Sequence, residues 1–296
     1  ILKTPSSDTC FIDKIHEIYC WGTSSFSKTL QQHQAKGFGA GNWCVIEVTL
    51  AQFCKGDNQY GSLSLGRQLS SVAQPLSVGD FSQVDGGSSF ACGLSSNGSV
   101  YCWGSSTLYG EMPSKIDNPQ DVKSIFVYGS HACALDTSGS AFCWGSNNFG
   151  ELGNGSVQTG ASNIASRVSI TGVVTYIAIG ENSICFLLET GNVMCSGYNA
   201  YGQLGDGTTA NKSSPVLVAN LVDVIEVASG GFHVCALLKD YSVKCWGNNT
   251  SGELGSGGPT VWKPAAVIGQ ATSTAAISAG SSNTCAVTTD AAALTT

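Results

Sequence analysis

Thirteen cysteines stand in this 296-residue sequence, and cysteines in that number could bind metal, persist as thiols or form disulfides. Spacing decides among these. Leading cysteines fall at Cys10, Cys44, Cys92, Cys133, Cys185, Cys235 and Cys285, and the first six have a second cysteine ten residues on: Cys20, Cys54, Cys102, Cys143, Cys195 and Cys245. Zinc motifs use intervals of two to four residues and usually recruit histidine. Nine intervening residues, repeated with no accompanying histidine pair, do not fit. The even pairing within each copy reads as six local disulfides, Cys10–Cys20 to Cys235–Cys245, and hence an oxidising compartment. Cys285 has Thr295 at the tenfold offset.

The remaining candidates for chemistry dissolve on alignment of the copies. His131 and His233 each stand two residues before a leading cysteine, where the other copies carry Asp8, Asn42, Phe90, Ser183 and Asn283. They are repeat positions rather than catalytic ones. His16 and His33 lie in the degenerate first copy and read as surface residues. Glu151, Gln203 and Glu253 share one repeat position, with Asp206 close behind. A ring of acids could bind calcium, but Gln203 interrupts the set and the alternating acidic loop of an EF-hand is absent, so loop packing is the better reading. The glycine-rich loops lack the Gly-Lys-Ser/Thr ending of a phosphate loop, and no Gly-x-Ser-x-Gly nucleophile element occurs. No catalytic residue, cofactor or metal site is expected. Five Asn-x-Ser/Thr triplets, at Asn97, Asn154, Asn211, Asn248 and Asn249, are candidate glycosylation sites, although turn chemistry alone accounts for asparagine at several of them.

The elements that carry the cysteines are strands. In the copy from Leu221 to Val267, "VIEVASG", "HVCALL" and "YSVKCWG" are short, β-branched, apolar or alternating runs bounded by Gly, Ser, Asp or Asn. A fourth strand is expected after Pro264 at "AAVI", as after Pro215 at "VLVA". Four short antiparallel strands per repeat describe a propeller blade. If the second and third strands form a hairpin, Cys235 and Cys245 lie opposite each other, and the odd number of residues between them asks for a three- or five-residue loop or a bulge. A non-hydrogen-bonded pair then brings the two Cβ atoms within disulfide reach. The tryptophan after the second cysteine (Trp21, Trp103, Trp144, Trp246) points to the other face and is expected between blades. Glycine five residues before the leading cysteine (Gly39, Gly87, Gly180, Gly230, Gly280) is expected to serve the turn between first and second strands.

The run C-A-L…C-W-G-x-N-x-x-G-E-L-G-x-G, at Cys133–Gly155 and Cys235–Gly257 and with Gln203 for Glu between them, resembles the repeat of the regulator of chromosome condensation (RCC1) family. That resemblance implies an all-β, seven-bladed propeller over residues 1–296 as one domain, one blade per leading cysteine, the seventh incomplete. Copies one to three depart from the pattern: Ser27 replaces the loop glycine and Gly110 comes one residue late. The paired-cysteine form is similar to secreted bacterial and algal members and to the Crinkly4-type receptor ectodomain, rather than to the nuclear exchange factor.

The formal charge is −7, and only 11% of residues are charged. Such a surface is a poor match for nucleic acid, which needs a basic footprint. No run of ~18 apolar residues exists to cross a bilayer. The expected function is extracellular or cell-surface recognition of a protein or glycan, with a structural domain of a larger glycoprotein as the alternative. Loops after the C-x-G element are the expected binding surface, with Tyr60, Tyr109, Phe149 and Tyr201 as anchors. The chain is further expected to continue past Thr296 with a C-x-G element for Cys285. Non-reduced peptide mapping should recover each of the six cysteine pairs within its own repeat; any bond between repeats would overturn the register.

Overall fold

The protein is described by a computed structural model that gives residues 81–88, 90–104, 108–267 and 274–288, the side chains of 110 and 111 excepted, and of residues 1–80 the strands alone as backbone. Among the described residues it forms seven antiparallel sheets of consecutive strands. The first contains β1 (Leu2–Lys3), β2 (Asp8–Ile12), β3 (Ile18–Gly22) and β4 (Ser27–Lys28). The second contains β5 (Ala35–Phe38), β6 (Trp43–Glu47), β7 (Gln52–Gly56) and β8 (Ser70–Pro75). The third contains β9 (Phe81–Gly86), β10 (Phe90–Ser95), β11 (Val100–Gly104) and β12 (Gly110–Lys115). The fourth contains β13 (Val122–Tyr128), β14 (His131–Asp136), β15 (Ala141–Asn147) and β16 (Gln158–Arg167). The fifth contains β17 (Val174–Ile179), β18 (Ser183–Leu188), β19 (Val193–Gly197) and β20 (Lys212–Leu217). The sixth contains β21 (Val224–Ser229), β22 (His233–Leu238), β23 (Val243–Gly247) and β24 (Val261–Ala266). The seventh has two strands among the described residues, β25 (Thr274–Ala279) and β26 (Thr284–Thr288). The chain divides into two compact units, Ile1–Asn148 with Val157–Val168, and Phe149–Ser156 with Ser169–Thr296.

In every complete sheet the second and third strands place the two cysteines directly opposite each other, including Cys10 with Cys20 and Cys44 with Cys54. Disulfides join Cys92–Cys102, Cys133–Cys143, Cys185–Cys195 and Cys235–Cys245, with Cα atoms 4.1 Å apart. So close a separation belongs to the non-hydrogen-bonded type of antiparallel pair. The side chains of Cys10, Cys20, Cys44 and Cys54 lie outside the described residues.

The odd spacing is absorbed at the hairpin tip. In the sixth sheet Tyr241 N donates to Leu238 O and Leu238 N donates to Ser242 O, a turn closed by one residue of positive φ. This is the three-residue loop whose last residue is left-handed. Glycine supplies that residue at Gly98, Gly139 and Gly191, with φ near +80°, but in the sixth sheet it is Tyr241, with φ of 64°.

Within each unit, the disulfide of one sheet faces the sheet that follows it, as the third and fifth sheets show. In the first unit Cys92, Cys102, Phe90 and Val100 enclose Trp144 with Ile125 and Ala134. In the second unit Cys185, Cys195, Leu204 and Val218 enclose Trp246 with Val227 and Ala236. Trp144 and Trp246 are fully buried, between sheets as expected. Side chains also bridge first strands: Gln83 Oε1 accepts from Ile125 N at 2.9 Å and its Nε2 donates to Ile125 O, while Asp85 Oδ2 accepts from Val127 N at 3.0 Å.

Gly87, Gly180 and Gly230 serve the turns between first and second strands as expected, and do so without positive φ. Each N–H donates within its own turn, but glycine is required because a Cβ would collide with a carbonyl of the next sheet's turn: Gly129 O for Gly87, Gly230 O for Gly180 and Gly280 O for Gly230. The fourth strands, by contrast, include Pro215 and Pro264 rather than following them. These strands end their sheets, and an end strand can spare the missing N–H.

Tyr241 is 54% exposed, so replacing it sacrifices little packing, while a left-handed non-glycine residue is strained. Tyr241→Gly should therefore stabilise the protein by about 0.5–1 kcal/mol, checked by urea unfolding. An unchanged or lowered midpoint would refute this account of the turn.

Candidate functional site

The loops after the third strands are the most elaborated part of each repeat. Their glycines stand at positive φ, as at Gly150, Gly153 and Gly155 and again at Gly202, Gly205 and Gly207. One buried asparagine organises each loop. Asn199 Oδ1 accepts from Leu204 N at 3.0 Å, while its Nδ2 donates to Thr208 O and Ala210 O, both at 3.1 Å. Asn249 repeats this, accepting from Leu254 N and donating to Gly258 O. Asn147 is equally buried.

The acidic repeat position closes the loop from inside. Glu151 Oε2 accepts from Phe149 N at 2.7 Å, Gln203 Oε1 from Tyr201 N at 3.1 Å and Glu253 Oε2 from Ser251 N at 2.8 Å. Glutamine can make the same clasp because it too offers an acceptor oxygen, but Gln203 Nε2 is left buried without a hydrogen-bond partner, where Glu253 Oε1 accepts from Asn248 Nδ2. Asp206 is likewise turned inward: burial works against its charge, but hydrogen bonds from Thr208 and Asn199 and the Lys212 ammonium at 3.7 Å outweigh it and lower its pKa. Among the described residues no cluster of His, Cys, Asp or Glu could hold a metal ion.

With their polar groups turned inward, these loops present rings. Phe149 lies 4.9 Å from Tyr198, which lies 6.3 Å from Tyr201 and 6.0 Å from Phe232; Tyr201 and Phe232 are 5.4 Å apart. All four are partly exposed, Tyr201 most clearly at 37%. Trp262, also exposed, lies against Gly202, which has no side chain to hold it off. Of the expected anchors, the structure therefore brings Phe149 and Tyr201 together. It adds Tyr198 and Phe232, whose repeat positions carry no aromatic signal elsewhere. Tyr109 is not a surface residue: it is 6% exposed, packs 5.2 Å from Phe90, and burial pushes its phenol pKa upward. Tyr60 lies outside the described residues.

The sequons divide in the same way. Asn97 and Asn211 are exposed and Asn154 partly so, with Oδ1 accepting from Ser99 N, Asn199 N and Ser156 N respectively. Asn248 instead commits Nδ2 to Thr250 and Glu253, and Asn249 commits its own inside the loop. A nitrogen so engaged is withheld from glycan attachment.

His131 and His233 are both buried. Thr284 Oγ1 donates its one proton to Glu253 O and so accepts from His233 Nε2–H at 2.9 Å, leaving Nδ1 bare and buried. Burial lowers the His233 pKa from 6.5 to about 4, against the opposing pull of Glu253 and the Asn283 backbone. His16 and His33 lie outside the described residues.

Comparison with known proteins agrees with this architecture. Two sequence models of the regulator of chromosome condensation (RCC1) repeat match, one at residues 190–237 and one at 81–111, 122–151, 174–203 and 224–253. The chain is 31% identical over 211 residues to the probable E3 ubiquitin-protein ligase HERC4 of Homo sapiens, covering 64% of this chain and 20% of that one. It thus spans about a fifth of that relative's length. Among solved structures, Prp20p from Saccharomyces cerevisiae aligns with a TM-score of 0.85 at 16% identity, over 96% of this chain and 81% of that one. The ectodomain of the Arabidopsis thaliana receptor kinase ACR4 aligns with a TM-score of 0.62 at 20% identity, over 98% of this chain and 94% of that one. These likenesses show the fold.

His233 supplies a pH test. The unfolded chain takes up its proton near the ordinary pKa of 6.5 and the folded chain only near 4. Stability is thus full above the first value and falls as pH drops through this window, by roughly 3 kcal/mol. Unfolding free energies measured from pH 7 to 4 should show that loss. His233→Phe, the residue type that Phe90 supplies at the same repeat position, should remove it; an unaltered slope in the variant would refute the assignment.

Proposed function

The chain is an RCC1-like repeat propeller, and on that premise we propose that residues 1–296 act as one non-catalytic recognition domain that binds a protein or glycan through its loops. The observation that carries this reading is the cluster of Phe149, Tyr198, Tyr201 and Phe232, partly exposed beside loops that Asn199 and Gln203 tie to their own backbone. Aromatic side chains on rigid supports combine large contact area with little entropy to lose, and dominate binding hot spots. Prp20p binds Gsp1p and histones, and the ACR4 propeller belongs to a receptor ectodomain; both support a binding role.

The disulfides of the third to sixth sheets support an extracellular or cell-surface setting, because thiols of cytosolic proteins are held reduced. There, glycans would attach at Asn97, Asn154 or Asn211 rather than Asn248 or Asn249. The short span relative to HERC4 favours a second reading, in which this propeller is one structural domain of a longer protein.

Glycan and peptide arrays probed with the natural protein and with Phe149→Ala, Tyr201→Ala and Phe232→Ala test the proposal. Each variant should keep its melting temperature, and at least one should weaken array binding tenfold or more, equivalent to about 1.4 kcal/mol. Binding left intact by all three would exclude the aromatic cluster as the recognition surface.

A further inference from the structure

Three residues of the second unit depart from the repeat at positions that are otherwise small. The residue four before the leading cysteine is Ser, Ala or Gly in every copy except the fifth, which has Glu181. The residue three before it is Ser, Gly or Asn in every copy except the sixth, which has Phe232. The third residue after the second cysteine is Ser, Thr, Asn or Asp in every complete copy except the fifth, which has Tyr198. A scaffold that uses small residues at these positions elsewhere shows no structural need of a carboxylate and two rings.

The fold brings the three together. Glu181 N donates to Gly231 O at 3.1 Å, and Asn182 O accepts from Tyr198 N at 2.8 Å. The turn that carries Glu181 is thus bound on one side to the residue before Phe232 and on the other to Tyr198, and Glu181 itself is exposed. Tyr198 is the hub of the rings, its centroid 4.9 Å from Phe149, 6.3 Å from Tyr201 and 6.0 Å from Phe232. Lys212, which pairs with Gly197 beside Tyr198, is spent on another carboxylate, its ammonium 3.7 Å from Asp206.

This chemistry selects a cation. Rings inclined to one another by 45° to 69° offer no common plane to the flat face of a sugar. A guanidinium needs only one electron-rich ring face on which to stack and a carboxylate to receive its fork of N–H donors. The formal charge of −7 draws cations toward the chain and repels acidic glycans. We propose that the ligand of the ring cluster is an arginine side chain of a protein partner, stacked on the aromatic faces with its guanidinium paired to the Glu181 carboxylate, an inference that rests on the cluster being the recognition surface.

The probes are N-acetyl-arginine amide and N-acetyl-citrulline amide, alike in shape but not in charge, titrated into the intact protein and followed by the NMR resonances of the aromatic rings. The arginine compound should shift the Tyr198, Tyr201 and Phe232 rings saturably and bind about fivefold more tightly than the citrulline compound. Glu181→Gln should abolish that preference without changing the melting temperature. Glu189→Gln, which removes the same charge from an exposed residue at the far end of β18, should leave it intact. Equal binding of the two compounds, binding of neither, a preference that survives Glu181→Gln, or one lost equally in Glu189→Gln would overturn the proposal. Array binding weakened by Tyr201→Ala but not by Glu181→Gln would also overturn it, while leaving the recognition surface standing; array binding untouched by all three ring substitutions would remove the surface itself.

Discussion

The cross-strand cysteine pair constrains almost everything around it. Opposed Cα atoms at 4.1 Å require the non-hydrogen-bonded site of the hairpin, and that site fixes the face on which the sulfur atoms emerge. The residue after the second cysteine must then emerge on the opposite face, where Trp144 and Trp246 are found. The tenfold spacing is met by a three-residue tip with one left-handed residue. Within each unit the disulfide of one sheet and the tryptophan of the next thus form two sides of a single interlayer, and a thin sheet of four short strands obtains a core it could not build alone.

Glycine in these repeats answers two separate demands, which only coordinates distinguish. At Gly145, Gly197 and Gly247, in the C-x-G element, φ exceeds 100° and a Cβ would also strike the carbonyl of the preceding turn. At Gly87, Gly180 and Gly230 the backbone is ordinary and proximity alone excludes a side chain. Those turns are joined in the second unit by Glu181 N donating to Gly231 O and Gly231 N to Ser281 O. The glycines are therefore part of the contact between neighbouring sheets as much as of the turns that contain them.

Periodicity made the sheets, the cysteine register and the buried tryptophans legible in the sequence, because each depends on spacing alone. The site was less legible. Phe149 and Tyr201 share a loop position and could be picked out, but Tyr109 also precedes a loop glycine, one residue later, and the late Gly110 marks a loop that buries its ring beside Phe90. Tyr198 and Phe232 sit where other copies have Ser146, Asn248, Ser130 and Ser282, so no repeat signal announces them. The central asparagine of the loop was visible in the motif, but its role was not, since hydrogen bonds reaching as far along the chain as Ala210 from Asn199 cannot be inferred from composition. The acidic position was more legible: with Gln203 interrupting the set it read as loop packing, and Glu151 and Glu253 each accept from the backbone N–H two residues before them.

The proposed recognition surface relies on that inward turn of polar groups. A loop rich in glycine would ordinarily surrender much conformational freedom on binding. Here Asn199 and Gln203 tie the loop to itself, and Gly207 N donates to Trp262 O on the adjoining strand at 3.2 Å, so the entropy is lost on folding rather than on association. Tyr201 can then project from a loop already held in place, and its ring meets Tyr198 edge-on and Phe232 at 45° instead of collapsing into a flat stack. Tilted rings leave both faces and edges available, so a partner could use apolar stacking and the positive ring edge together. The clasp that commits the Gln203 side chain to the backbone therefore also fixes the loop from which Tyr201 projects.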